Sequence, residues 1–340
     1  MVARASKADY KSKKVLKDST VDMETFGKSL LLAIRGKKRG TAPGPNGIPI
    51  EIYKGLLSVE SDLAAVKKFA ESESSTSAAP VEIRPLPDIV HVAVADDDLP
   101  NHMATPMGQA FEKLLKSQIL HSDHFARGLG DASITPLVKN PKGDISSMDN
   151  RRGLAVGNEE AKIMFTMLAR QLSAKLEASD WFTKMQSGFR ANQECIGQFI
   201  TLFEIARRCR LKKKDLFVVF IDLQKAFDTV MHEAMWLKLE AMGLGGHELE
   251  VIKSLYKSGK VRVKIDELFS YSFEIGKGTQ QGDPLSPLLF IIFINDLLIG
   301  CPFGATIPGL SEKVPGLLFA DDLAGLCNSI DAMSSMWGMT

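Results

Sequence analysis

The chain has 340 residues, 45% of them hydrophobic and 24% charged, a globular balance that excludes collagen, coiled coil and small disulfide scaffold and leaves room for about two domains. Lysine plus arginine number 42 against 41 acids, so bulk charge gives no argument for a nucleic-acid partner. The charge is instead uneven. Residues 1–40 carry a net +7, and a second basic cluster runs Arg207, Arg208, Arg210, Lys212, Lys213, Lys214; either can neutralise phosphates or serve as a solvated face.

Thr41-Ala-Pro-Gly-Pro-Asn-Gly47 is a rigid turn that closes the basic lead-in. Residues 58–105, with the run Glu71 to Pro80 and the acids Asp96, Asp97 and Asp98, cannot supply much core and are expected to form a poorly ordered insertion. Ile163, Met164, Met167, Leu168, Leu172 and Leu176 recur at helical spacing, which predicts a core-facing helix over 161–177. Leu216 to Ile221 reads as a buried strand ending at Asp222. A helix is predicted over 232–242, stopped by Gly243, followed by alternating strands over 261–265 and 271–275. Asp283 and Pro284 read as an N-cap and first helical position, launching an apolar helix over 285–298 from the turn Gly278-Thr-Gln-Gln-Gly282. Gly316–Ala320 and Leu323–Leu326 form an apolar hairpin with Asp321 and Asp322 at its tip. The methionines, Met242 among them, read as core filler.

Other classes drop out. Cys195, Cys209, Cys301 and Cys327 lie far apart without a C-x-x-C pair, against a zinc knuckle or a disulfide framework, and a reducing compartment is expected. The apolar run Leu288 to Ile294 is far short of the ~20 residues of a membrane span, and the N-terminus lacks a secretory apolar stretch. The expectation is an intracellular protein with no membrane association, in the nucleus rather than the cytoplasm if Lys37-Lys-Arg39 is an import signal. Ser286 and His232 have no evident mutual partners, and no Ser/His/Asp arrangement is apparent.

If the strand ending at Asp222 pairs with the hairpin bearing Asp321 and Asp322, three carboxylates meet at one sheet edge. Such hard oxygen ligands suit Mg²⁺ or Mn²⁺, and two such ions can clamp the attacking and leaving oxygens of phosphoryl transfer. An Asp-Asp pair alone is weak, since aspartate is common in turns. The context is an ordered series: Phe220-Ile-Asp-Leu-Gln-Lys-Ala-Phe-Asp228, Gly278-Thr-Gln-Gln-Gly-Asp-Pro-Leu-Ser-Pro-Leu-Leu-Phe290 and Phe319-Ala-Asp-Asp322. Together these resemble the reverse transcriptases, and among them those of non-LTR (LINE-type) retrotransposons. Ile134 to Lys139, Asn150-Arg-Arg-Gly-Leu154, Gln186-Ser-Gly-Phe-Arg190 and the turn at 41–47 add to the likeness. Arg151 and Gly153 depart from it, standing where the family has an aromatic and a proline.

The resemblance implies an α+β right-hand polymerase fold. Its parts would be a basic lead-in over 1–40, fingers over 41–215 interrupted at 58–105, and a palm over 216–340. The palm's antiparallel sheet would be backed by the helices from 161, 232 and 284. The likeness further implies that Asp222 and Asp321 ligate two Mg²⁺ ions, with Mn²⁺ a substitute, while Asp322 assists. It puts Phe227 beneath the incoming sugar, where it rejects a 2′-hydroxyl, Gln281 beside the incoming nucleotide, and Arg152 and Lys139 on its triphosphate. The implied partners are an RNA template, a DNA primer and deoxynucleoside triphosphates, with the basic clusters on nucleic-acid backbone. Eighteen residues follow Asp322, too few for the family's further palm segment and thumb, so the thumb is expected from a partner or a further segment. Two other readings stand beside a working enzyme: a truncated, inactive retroelement remnant that at most binds nucleic acid, and an RNA-dependent RNA polymerase, against which Phe227 counts.

Overall fold

The structure is a computed structural model that describes residues 20–38, 40–55, 106–120, 125, 128–241, 244–266, 268–279 and 282–338. The expected insertion at 58–105, most of the basic lead-in, Met242 and Gln281 lie outside the described residues. The architecture is mixed α+β. Helices α1 (Phe26–Arg35), α2 (Ile50–Gly55) and α3 (Pro106–Leu120) precede a hairpin of β1 (Ala132–Val138) and β2 (Arg151–Gly157). Then come α4 (Glu159–Ala178), α5 (Cys195–Leu211), β3 (Phe217–Asp222), α6 (Ala226–Thr229), α7 (His232–Ala241), α8 (Gly246–Lys257), β4 (Val261–Ile265) and β5 (Leu268–Phe269). The chain continues through α9 (Ser286–Ile294), β6 (Ala305–Thr306), β7 (Lys313–Val314), β8 (Gly316–Phe319), β9 (Asp322–Cys327) and α10 (Ile330–Trp337).

Two sheets organise the molecule, with β6 and β7 forming a small separate ribbon. The first runs β2-β1-β4-β5, with β1 antiparallel to β2 and parallel to β4; the second runs β3-β9-β8, all antiparallel. The largest core lies among the helices. Ile163, Met164, Met167, Leu168, Leu172 and Leu176, at three- and four-residue steps along α4, are buried against α1, α7, α8 and α9. Helix α9, Ser-Pro-Leu-Leu-Phe-Ile-Ile-Phe-Ile, is apolar on every side and correspondingly buried on nearly every side. The ion pairs Lys175–Glu248 (2.8 Å) and Lys238–Asp296, each a half-buried lysine on a buried carboxylate, tie α4 to α8 and α7 to the end of α9.

Four sequence expectations are corrected. The helices from 159, 232 and 286 share the main core, whereas the second sheet is covered on one face by α5, through Leu202, Ile205 and Cys209. Its other face meets Met185, Leu298, Met336 and Trp337. The strand expected over 271–275 is instead Leu268–Phe269, with Phe273 making an isolated bridge to Val261. Helix α9 starts at Ser286 rather than at Pro284, because the Asp283 carboxylate accepts from Leu285 N in a tight turn that Pro284 occupies. Asp322 opens β9 rather than standing at the hairpin tip, where the two turn residues are Ala320 and Asp321.

Candidate active site

Strand β3 alternates half-buried Phe217, Val219 and Ile221 with exposed Val218, Phe220 and Asp222. Its antiparallel register with β9 sets Asp222 opposite Asp322, with Phe319 of β8 beyond. Directly opposed residues share a face with Cβ atoms about 5 Å apart. The sequence pattern therefore brings Asp222 and Asp322, both exposed, together at the sheet end, with half-buried Asp321 in the adjoining turn. Among the described residues none of the three carboxylates is in a salt bridge. Nor, among those residues, do three His, Cys, Asp or Glu side chains stand close enough to hold a metal ion as they are. The donor chemistry, three carboxylates at one end of the sheet, fits a hard divalent cation.

What fixes the turn is the segment Met185–Gly188. Met185 and Ser187 run beside β8, with Leu318 N donating to Met185 O (2.8 Å) and Ser187 N to Leu318 O (3.0 Å). The fully buried Gln186 side chain then uses one oxygen twice, accepting from Gly188 N (2.8 Å) and Ala320 N (3.0 Å). Ala320 is held in the left-handed region, φ 56°, a conformation costing a non-glycine residue about 1 kcal/mol. Gly188 must be glycine because a Cβ there would stand 2.1 Å from Ala320 N. Gln198 on α5 locks the same segment, donating to Ser187 Oγ (2.7 Å) and Met185 O (3.1 Å). The sequence marks Gln186-Ser-Gly-Phe-Arg190 as a motif without this role, which only the long-range contact with residue 320 reveals.

Phe227 lies five residues beyond Asp222, its ring stacked on Phe290 at 4.3 Å and edge-on to Phe189 at 6.2 Å. Its carbonyl accepts from Thr279 N (2.8 Å), and Gly278 N donates to Val230 O, so the chain around Phe227 is bound to the start of the 278–282 turn. That turn is braced elsewhere. His232 Nε2–H donates to the Gly278 carbonyl at 2.7 Å, and Gly282 (φ 112°) packs so closely on Ala155 of β2 that a Cβ would meet its carbonyl oxygen at 2.4 Å.

His232 and Ser286, which showed no mutual partner in the sequence, share Tyr256. The Tyr256 ring meets His232 edge-on at 5.3 Å, and its hydroxyl lies 3.1 Å from Asp283 Oδ2 and 3.2 Å from Ser286 Oγ. Burial pushes the Asp283 carboxyl up to about 6 against the pull of these hydrogen bonds. The cluster is a brace below the turn. No element of the sequence alone places residue 256 beside 283.

Arg152 and Lys139 lie on one face of the β1–β2 hairpin. Arg152 is the register partner of Leu137, and Lys139 continues the strand opposite Asn150, its amide donating to Asn150 O at 2.8 Å. Both side chains are exposed, and Lys139 Nζ donates to Asp149 O at 3.3 Å. Lys225, at left-handed φ 52°, reaches Asp149 Oδ1 at 2.8 Å and links the end of β3 to this hairpin. It holds the Asp149 carboxyl below the usual carboxylate range. Of the second basic cluster, Arg207 and Arg208 are paired to Glu204, leaving Arg210 and Lys212–Lys214 as its outward charge.

Paired aspartates at a hairpin end, an aromatic and a braced glycine turn beside them, and two cations on a neighbouring hairpin belong together as parts of a reverse transcriptase domain. The family model for reverse transcriptase (RNA-dependent DNA polymerase) matches residues 139–339, more than half of the chain, and the chain belongs to that family. Within it the chain is of the non-LTR retrotransposon type. It is 28% identical over 187 residues to the Retrovirus-related Pol polyprotein from type-1 retrotransposable element R2 of Popillia japonica, covering 53% of this chain and 25% of that protein. It is likewise 28% identical over 217 residues to the RNA-directed DNA polymerase from mobile element jockey of Drosophila funebris, covering 64% and 23%. The chain thus spans about a quarter of the length of these relatives. A truncated apo telomerase from Candida Tropicalis superposes with TM-score 0.46 and 11% identity over 68% of this chain and 51% of its own, a likeness too weak to define the fold.

Proposed function

We propose that this domain is the core of an RNA-directed DNA polymerase that extends a DNA primer on an RNA template with deoxynucleotides. The observation that carries the reading is the β3–β9 register, which sets Asp222 against Asp322 with Asp321 in a turn locked by Gln186. In this reading the β3-β9-β8 sheet serves as the palm, and the β2-β1-β4-β5 sheet belongs to the fingers. Asp222 and Asp321, assisted by Asp322, hold divalent magnesium, or manganese in its place. The bound cation offsets the charge that develops on the phosphoryl oxygens.

The rest is the work of side chains. Arg152 and Lys139 present their charges from one face of the β1–β2 hairpin and pair with triphosphate oxygens. The Phe227 ring, fixed by its stack on Phe290, excludes a 2′-hydroxyl from the sugar site. Gln281, two residues beyond Thr279 in the sequence, serves beside the incoming nucleotide. The outward basic residues at 210–214 meet the nucleic-acid backbone without regard to sequence. A second reading, an inactive remnant that only binds nucleic acid, draws support from the unconverged carboxylates. Metal-dependent primer extension separates the two: the enzyme incorporates deoxynucleotides with Mg²⁺, and the remnant incorporates none while still retaining labelled nucleic acid.

A further inference from the structure

We propose that the arm formed by β4, β5 and residues 270–273 is a binding site for an unpaired nucleic-acid strand, separate from the aspartate site. The arm and the residue that leads into it carry three cations in five residues, Lys260, Arg262 and Lys264, followed in the sequence by the acids Asp266 and Glu267 and, beyond the return strand, by Glu274. Strand periodicity puts Arg262 and Lys264 on one face, and the register partner of Lys264 is Phe269. Both cations lie over that ring, the Arg262 guanidinium at 4.1 Å and Lys264 Nζ at 5.6 Å. Arg262 Nε also donates to Ser133 Oγ at 3.3 Å, so the guanidinium is held rather than trailing in solvent.

The return strand supplies the stacking platform. Pairing passes from Lys264↔Phe269 to Val261↔Phe273, which inserts one extra residue on the return side. Ser270 bridges that bulge, its Oγ accepting from Val263 N and its own N–H donating to Val263 O, both at 2.9 Å. The bulge throws Tyr271 outward at 97% exposure, beside Leu268 at 76%. An aromatic ring held so far into water on the same arm as oriented cations suits an unpaired base stacked on the ring with its phosphates on the lysines and arginine. At the root of the arm, Lys260 and Arg262 rim a polar cavity of about 210 Å³, also lined by Asn46, Asp131, Asn158 and Ser272.

This face is continuous with the nucleotide side. Ser133 is the register partner of both Arg262 and Val156, and Leu137 that of Arg152, so Arg152, Lys139, Arg262, Lys264 and Phe269 share one face of the first sheet. Three strand spacings, about 14 Å, separate β2 from β5. The charge favours a polyanion over a protein segment.

The inference rests on the reading that the domain handles nucleic acid, and the test separates the two. Fluorescence anisotropy with labelled 15-nucleotide oligo(U) and oligo(dT) is measured on the full chain from 50 to 200 mM salt. Tyr271→Ala is expected to weaken binding of both strands about tenfold with an unchanged salt slope. The double variant Arg262→Gln, Lys264→Gln is expected to flatten the logarithmic salt slope by about 1.4, the release of two counterions from a single strand. Tyr271 is too exposed for its loss to affect folding, and an unchanged melting curve verifies that. Absent primer extension by the folded wild type, with arm-dependent binding intact, overturns the polymerase reading alone. Wild-type affinity in both arm variants, or no binding of either strand at 50 mM salt, overturns the arm proposal and leaves the aromatic arm to a protein partner.

Discussion

Replacing Gln186 with methionine keeps the length of the side chain and deletes the oxygen that holds the aspartate turn. Two N–H groups, those of Gly188 and Ala320, lose their acceptor in a site from which water is excluded. Each buried donor left unpaired costs about 1–3 kcal/mol. Part of this is offset, because Gln186 Nε2 is itself buried without a partner among the described residues and the thioether removes that burden. The net loss is therefore about 2–4 kcal/mol. It falls on the turn, where Ala320 keeps its left-handed φ only because its neighbours enforce it. Denaturant unfolding at neutral pH gives the loss directly, and amide exchange at Leu318 and Ala320 localises it. A Gln186→Met protein within 0.5 kcal/mol of wild type would refute the claim that this amide sets the turn.

Other outcomes follow from the same contacts. Gly188→Ala drives a Cβ into the backbone of Ala320 and is expected to cost about 3 kcal/mol, read as a lowered melting temperature, whereas Gly197→Ala, with open space on helix α5, is the control and is expected to stabilise by up to about 1 kcal/mol. Asp283 has its carboxyl raised to about 6 in the folded protein against 3.8 for the free group, so the native state favours the protonated form. Its contribution is fully present below pH 4 and is lost as pH rises through about 6, worth about 3 kcal/mol in all. Asp283→Asn is expected to gain stability over wild type by that order between pH 4 and 7, and a wild-type-minus-variant difference that is flat with pH contradicts the assignment. Phe227→Val removes the stack on Phe290, costs about 2 kcal/mol, and is expected to raise ribonucleotide relative to deoxynucleotide incorporation.

The sequence made some of this legible and hid the rest for identifiable reasons. Strand β3, helix α4 and the β8–β9 hairpin declare themselves because their patterns are local: an unbroken branched and aromatic run, a three-and-four spacing, and two apolar pieces around a short turn. The pairing of Asp222 with Asp322 was conditional on the sequence side, since a register a hundred residues apart depends on tertiary packing. The Tyr271–Ile275 alternation misplaced a strand because a bulge at Ser270 shifts pairing back to Leu268 and Phe269. Asp283 misplaced a helix start because its carboxylate is shared among Leu285 N, Tyr256 and Ser286. Arg152 and Lys139 were singled out by resemblance, and the register adds that they share a face. Gln186 stands in a motif that does not disclose its role and Gln198 carries no local signal, because what makes them matter is a contact with residues 318 and 320.

The central claim is that Asp222, Asp321 and Asp322 form a polymerising centre, and primer extension tests it most directly. A DNA primer annealed to an RNA template is offered deoxynucleotides or ribonucleotides, with Mg²⁺, with Mn²⁺ or with chelator, using wild type and Asp321→Ala of matched thermal stability. The account predicts extension with deoxynucleotides that requires the divalent ion and disappears in Asp321→Ala. A folded wild-type protein that extends nothing under any of these conditions, or an Asp321→Ala variant that extends as well as wild type, contradicts it.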